Sequence, residues 1–161
     1  MADLKQQRCF RVDEDTFKAV RKHFAADSVD NAECLRTIKE VLDKHDYLLD
    51  PHTAVAYRAA QNLRGENPVL IASTAHWAKF GNNVYRALHD MQPGQPLPEN
   101  VAALSGCGLN DLVADESGHH DVPRGLAELD DLPIRFTEVI DGTTEDIENA
   151  TERFLAALDN E

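Results

Sequence analysis

The sequence is poor in several residue types that mark large classes of protein. Its 161 residues include three cysteines and only 16 lysine and arginine residues, against 29 aspartate and glutamate residues. The net charge of −13 disfavours nucleic-acid and anionic-membrane surfaces, because both attract clustered basic side chains. Cys9, Cys34 and Cys107 are odd in number and far apart, with no Cys-x-x-Cys pair. We therefore expect free thiols in a reducing compartment.

Long apolar runs are also missing. No stretch approaches the roughly 20 apolar residues of a membrane-spanning helix, and residues 1–6 lack the apolar run of a secretory signal. We therefore expect a cytoplasmic protein that does not bind membranes or nucleic acid. Its 42% hydrophobic and 28% charged residues are typical of a folded domain with its own core.

Several segments carry apolar residues at the spacing of an amphipathic helix. Two positions mark helix starts: Asp30 has the side chain of an N-cap, and Pro51, after Asp50, suits the first turn of a helix. The predicted helices cover residues 13–26, 30–42, 53–63 and 78–90, and a last segment that starts at Thr143 or Thr144 and includes Leu158.

Short apolar runs between these helices predict strands. Residues 69–72 (Val-Leu-Ile-Ala) indicate a buried strand of the parallel type, residues 134–140 another, and residues 7–12 a short strand or an extended lead-in. Because helices alternate with strands, the sequence predicts an α/β fold, here part of a parallel open sheet flanked by helices.

One domain with a loose middle segment is expected. Residues 1–90 form its main α/β segment, and residues 133–161 form its final strand and helix. Between them, residues 91–132 are predicted to be irregular and acidic, with one or two short helical turns, since prolines and glycine break the helical pattern there.

Polar side chains follow the strand predicted before the fourth helix. Ser73, Thr74, His76 and Lys79 lie between strand and helix, where open α/β sheets bind ligands and a helix start favours an anion. A purely structural alternative is that Ser73 and Thr74 only cap the helix. The Asp50-Pro51-His52-Thr53 turn allows the same choice, because it either faces a cleft or only starts a helix.

The other polar clusters are weaker signals. His119, His120 and Asp121 are adjacent, so their side chains point apart, and no second pair stands at the spacing of metal ligands. We expect a solvated loop and no metal site. Cys107 lies between two glycines, but no predicted strand precedes them and no histidine partner can be assigned. Neither a nucleotide-binding loop nor a cysteine nucleophile is therefore predicted.

Two motifs resemble threonine synthases of the longer type. Residues 48–55 read Leu-Leu-Asp-Pro-His-Thr-Ala-Val, and residues 74–80 read Thr-Ala-His-Trp-Ala-Lys-Phe. The family has a segment like the first motif, followed by Thr-Ala-His-Pro-Ala-Lys-Phe after an apolar strand. The order and separation of the motifs match, and the resemblance extends over about residues 24–88. Trp77 stands where the family has proline, so the backbone path after His76 is expected to differ.

The resemblance implies an enzyme that uses pyridoxal phosphate (PLP) to convert O-phosphohomoserine and water to threonine and phosphate. In the family a threonine hydroxyl at a strand end contacts the pyridine nitrogen, and this residue corresponds to Thr74. The other implied site residues are Ser73 and His76 at the cofactor, and His52, Thr53 and Lys79 along the cleft.

The family's cofactor lysine lies in an N-terminal region, within a Phe-Lys-Asp-Phe type of motif that none of the six lysines here matches. We therefore expect the C-terminal portion of a threonine synthase, a PLP-dependent lyase, with no catalytic residue of its own and an incomplete PLP site. The implied partners are an N-terminal PLP-domain chain or a second copy of this chain, and a small-molecule substrate. The alternative is a non-catalytic α/β domain that binds a partner.

Overall fold

The computed structural model describes residues 5, 7–134 and 137–158. Its α-helices are α1 (Glu14–Arg21), α2 (Asn31–His45), α3 (Pro51–Leu63), α4 (Gly81–Leu88), α5 (Glu99–Ala102), α6 (Gly106–Ser117), α7 (Arg124–Ala127) and α8 (Thr144–Leu158). Single turns of 3₁₀-helix cover Trp77–Lys79 and Leu129–Asp131. Among these residues, none of the helices combines the length and the apolar character that crossing a membrane requires.

The predicted α/β fold is wrong, because the described residues form helices and no strand or sheet. Residues 69–72 lie outside any regular element, and Leu70 is 98% exposed. A strand needs a neighbouring strand to take up its backbone N–H and C=O groups, and no described segment lies in that position. The apolar run therefore predicted a buried strand, but the described residues provide no neighbouring strand that would bury it.

The other two strand predictions fail in the same way. Residues 8–12 carry no strand, and neither do Ile134 and residues 137–140. Arg135 and Phe136, inside the predicted second strand, lie outside the described residues.

The helix starts predicted from local sequence are confirmed. Asp30 caps α2 and accepts a hydrogen bond from the Glu33 N–H at 2.7 Å. Asp50 caps α3, with Pro51 as the first helical residue. Such caps satisfy N–H groups that have no partner inside the helix, so a short stretch of sequence is enough to predict them.

Two helical regions differ from expectation. The helix predicted over residues 78–90 is divided into the Trp77–Lys79 turn and α4. The stretch predicted to be irregular contains α6, a helix of 12 residues. Its first three residues, Gly-Cys-Gly, have low helix propensity, which conceals it in the sequence. Ser105 compensates as the N-cap, because its Oγ accepts from the Gly108 N–H at 3.0 Å.

The hydrophobic core lies among α2, α3, α4 and α6. Ile38, Ala54, Val84 and Val113, one from each of these helices, are 0% exposed. Burying a side chain such as valine or isoleucine contributes about 1.5–3 kcal/mol. The core therefore holds two connections in place: the turn that starts α3, and the loop that leads into α4.

The chain divides into two compact units, one ending at Asp130 and the other beginning at Asp131. The first contains the core and α1 to α7. In the second, Thr143 caps α8, because its Oγ1 accepts from the Asp146 N–H at 3.1 Å. Ile147 and Phe154, on the inner stripe predicted for this helix, are about half exposed.

Candidate functional site

The candidate site begins at the buried carboxylate of Asp50, at the start of α3. Asp50 is 3% exposed, and its Oδ1 accepts from the backbone N–H groups of His52 at 2.9 Å and Thr53 at 3.2 Å. Its Oδ2 accepts from the Thr53 hydroxyl at 2.5 Å. Three donors offset the cost of burying this carboxylate, so the helix cap is also a fixed polar anchor.

The Thr53 hydroxyl connects this anchor to the loop before α4. Thr53 Oγ1 lies 3.1 Å from Ser73 Oγ. Because a hydroxyl has one proton, and that of Thr53 is donated to Asp50, the Ser73 hydroxyl is the donor in the second bond. The Ser73 oxygen can then only accept a hydrogen bond from a ligand.

Thr74 differs from its neighbour in this respect. The residue is exposed, and within the described part of the chain its hydroxyl has no hydrogen-bond partner. Its proton is therefore available to a ligand, and the anchored Ser73 fixes the backbone immediately before it. The two hydroxyl groups thus differ: that of Thr74 can donate to a ligand, whereas that of Ser73 already donates to Thr53.

His76 is held from both of its ring nitrogens. Nδ1 accepts from the Ala78 N–H at 3.2 Å and so caps the 3₁₀ turn. Nε2 lies 3.5 Å from Asp121 Oδ2. An imidazole whose Nδ1 accepts carries its proton on Nε2 when neutral, which places that proton towards Asp121.

Trp77, the residue that replaces the family proline, is part of the core. It is 2% exposed, and its indole N–H donates to Asp121 Oδ1 at 3.3 Å. Burial alone would raise the pKa of Asp121, but the Trp77 N–H and His76 outweigh it and lower the pKa. Asp121 therefore fastens the loop through two consecutive residues.

A second histidine closes the same region. His119 Nδ1 lies 3.0 Å from the Ser117 carbonyl oxygen, and Nε2 lies 3.1 Å from that of Asp46. Partial burial alone would lower the pKa of His119, but the two carbonyl acceptors raise it above the ordinary value, because only the protonated ring donates from both nitrogens.

These groups surround a cavity of about 50 Å³. It is lined by Tyr47, Leu48, Leu49, Asp50, Ser73, Ala75, His76, Trp77, His119 and Asp121. This space suits a water molecule and is too small for a pyridine ring with its substituents. No lysine is among the described residues that line it. Thr74 lies outside this lining, so a cofactor would have to contact the outer surface of the loop.

The remaining predicted site residues lie at different distances from this cluster. His52 is exposed, with Nδ1 3.5 Å from Asp50 Oδ1 and its ring centroid 4.9 Å from that of Phe80. Lys79 is exposed and lines a separate cavity of about 510 Å³. The structure therefore brings Thr53, Ser73 and His76 together around Asp50 and Asp121, and assigns Lys79 to another surface.

Sequence reasoning missed the role of His119 and Asp121. The sequence does contain their cluster, but Asp121 reaches Trp77 across 44 positions, which no local pattern encodes. Among the described residues, no group of three or more His, Cys, Asp or Glu side chains is arranged to hold a metal ion.

The family comparison covers the central part of this site. Residues 53–107 match the family model for the C-terminal region of threonine synthase. The matched segment contains Thr53, Thr74 and Trp77, but not Asp50, which lies just before it, or Asp121, which lies after it.

Individual relatives extend the match. Human threonine synthase-like 1 is 36% identical over 86 residues, which are 53% of this chain and 12% of that protein. The threonine synthase of Saccharomyces cerevisiae is 34% identical over 117 residues, 64% of this chain and 23% of that protein.

A solved structure agrees with both. The crystal structure of PLP-bound threonine synthase from Brucella melitensis is similar with a TM-score of 0.53 and 29% identity, over 76% of this chain and 28% of that one. This chain therefore spans between 12% and 28% of the length of these three relatives. This chain is similar to threonine synthases and threonine synthase-like proteins, and its residues 53–107 are similar to the C-terminal region of threonine synthase.

Proposed function

We propose that this chain supplies one wall of a PLP site of the threonine synthase type, in which the Thr74 hydroxyl donates a hydrogen bond to the pyridine nitrogen. The wall is completed by an N-terminal PLP-domain chain that brings the cofactor lysine. The reaction of the completed site is the conversion of O-phosphohomoserine and water to threonine and phosphate in the cytoplasm.

The main support is the difference between the two adjacent hydroxyls. An unprotonated pyridine nitrogen is an acceptor and needs a donor. Ser73 has already donated its proton to Thr53, whereas Thr74 is exposed and uncommitted among the described residues. Thr74 is therefore the member of the pair that can serve the ring.

Pre-organisation of the loop supports the same assignment. The bonds from Ser73 through Thr53 to Asp50 fix one end of the loop, and the contacts of His76 and Trp77 with Asp121 fix the other. A hydroxyl held on such a loop loses little freedom on binding. His76, with its Nε2 proton towards Asp121, and the exposed His52 then border the ligand.

The chemistry of the donor suits the reaction class. When bound, PLP supplies an electron sink for bonds at the substrate's α-carbon. A neutral hydroxyl partner leaves the ring nitrogen less protonated than a carboxylate would, which favours elimination and addition of water. The chain itself orients the ring edge and shields it on one side, and none of the described residues that line the cavity behind the loop is a lysine.

Complementation tests this proposal. The chain is mixed with PLP, alone and with an N-terminal fragment of the yeast threonine synthase, and the visible band of lysine-bound PLP is recorded. We expect the band only in the mixture. Thr74→Val removes one hydrogen bond, worth about 1–3 kcal/mol, so PLP affinity should fall roughly tenfold to a hundredfold.

The matched control is Thr137→Val, which alters an exposed threonine of the second unit. It should leave PLP affinity unchanged. Equal affinity of the Thr74→Val protein and the Thr137→Val protein would remove Thr74 from the site.

One observation favours a second candidate function, a non-catalytic domain that binds a partner. Trp77 fills the core and is tied to Asp121, so the loop is closed against its own chain around a cavity of only about 50 Å³. The absence of any PLP band in the complementation mixture would favour this function.

A further inference from the structure

A second cavity, of about 510 Å³, lies where α4 and α6 begin. Its lining includes Lys79, Gly81, Asn82, Cys107, Asn110 and Asp130. None of these residues lines the cavity behind the 73–76 loop. The volume falls within the range of roughly 300–1,000 Å³ typical of small-molecule sites.

The start of α4 presents free donors to this cavity. Phe80, at the N-cap position, provides no side-chain hydrogen bond. Within the described residues the backbone N–H groups of Gly81 and Asn82 have no acceptor. Unpaired N–H groups and the helix dipole favour an anion at such a position. Gly81 is also tightly placed, because a Cβ there would lie 2.9 Å from Asn110 Oδ1.

Asn110 provides an independent sign of a ligand. The residue is 7% exposed, and its side chain has no hydrogen-bond partner in the part of the chain that the structure describes. Its polar atoms are nevertheless not enclosed by protein, so the amide opens into the cavity that the residue lines. Nearly buried amides are normally paired, and an unpaired one that faces a cavity is available to a bound molecule.

The charges around the cavity show which of the two helix starts is available to an anion. Asp130 lies at the start of α6, where hydrogen bonds from Ser105 and Cys107 lower its carboxyl pKa. The start of α6 thus already holds a carboxylate of this chain, whereas no carboxylate of the described residues is bonded at the start of α4. Lys79 adds an exposed positive charge to the same lining.

We infer that this cavity binds a small oxyanion, a phosphate or carboxylate group, at the uncapped start of α4. The Gly81 and Asn82 N–H groups and the Nδ2–H group of the Asn110 amide donate to it, and Lys79 supplies the opposite charge. Asp130 weakens the binding of the anion by repulsion. Its carboxylate occupies the start of α6 in the way that the bound anion would occupy the start of α4. This inference is independent of the PLP site.

Titration of the ¹⁵N-labelled full chain with inorganic phosphate tests it, at constant ionic strength set with chloride. We expect saturable shifts of the backbone amide signals of Gly81 and Asn82 and of the side-chain amide signal of Asn110. Acetate, run as a second arm, should bind the same residues more weakly, because it carries less charge and fewer acceptor oxygens. Tighter binding of acetate would assign the site to carboxylates.

Charge variants make the test specific. Lys79→Gln should weaken phosphate binding at least about fivefold, since hydrogen bonds to charged groups are the stronger ones, and Asp130→Asn should strengthen it. Lys44→Gln changes the same charge at an exposed position outside the lining and serves as the control. Shifts that do not saturate, or equal weakening by Lys79→Gln and Lys44→Gln, would overturn the inference.

Discussion

Asp50 is the residue on which the candidate site depends most. It is a helix cap, and it is also the end of the hydrogen-bond chain through Thr53 to Ser73. Asp30 is a helix cap without this second role, because among the described residues its exposed carboxylate accepts a hydrogen bond only from the Glu33 N–H. A comparison of the two caps therefore distinguishes the stabilisation of a helix from the support of the loop.

We expect Asp50→Ala to lower the free energy of unfolding by about 2–3 kcal/mol, because it removes a cap and leaves the buried Thr53 hydroxyl without its acceptor. Asp30→Ala, the matched control, should cost about 1 kcal/mol. Urea unfolding monitored by circular dichroism measures both. Equal losses would mean that the polar chain behind the loop contributes nothing beyond capping.

The sequence predicts these caps because each involves neighbours within a few positions. It does not predict the contact of Trp77 with Asp121, whose partners lie 44 positions apart. The resemblance identifies position 77 as a departure from the family, but only the packed structure supplies the reason: the indole fills the core, and a carboxylate beyond the family match receives its N–H.

At the scale of the elements, the helices are predictable and the strands are not. A helix satisfies its own backbone, so capping and spacing suffice. Residues 69–72 have the composition of a buried strand, yet Leu70 is 98% exposed. The apolar composition of this segment favours a buried position, but a strand forms only where a neighbouring strand can pair with it. Thr74 is nevertheless exposed on this loop, as the prediction of a site at a strand end requires.

His119 joins two elements, the end of α6 and the residue after α2, through the Asp46 carbonyl. Its pKa is raised because the protonated ring can serve both carbonyl acceptors. A raised pKa in the folded state stabilises the fold below the ordinary histidine pKa, and this contribution is lost as pH rises through the folded-state pKa.

We therefore expect His119→Gln to destabilise the chain by roughly 1 kcal/mol near pH 5, the worth of one hydrogen bond, and by less near pH 8. His23→Gln, at an exposed histidine, should show no such trend. Urea unfolding at several pH values measures the difference. A cost for His119→Gln that grows with pH would contradict the assignment of two carbonyl acceptors.

At the scale of the whole molecule, the chain combines a helical core with a loop that the proposed function assigns to a larger site. It spans 12–28% of the length of the relatives compared, and the described lining of the loop cavity contains no lysine. The motifs predicted the family relationship, because they are local. They could not predict that the loop closes against Asp121, because this contact depends on the fold of a segment outside the motifs.

The most direct test of the central claim is a crystal structure of the chain with PLP and the complementing N-terminal fragment. The distance from Thr74 Oγ1 to the pyridine nitrogen is the decisive quantity. The proposed function predicts a hydrogen bond of about 2.7–3.2 Å, with Ser73 still bonded to Thr53. A ring nitrogen that meets another side chain, with Thr74 facing solvent, would contradict it.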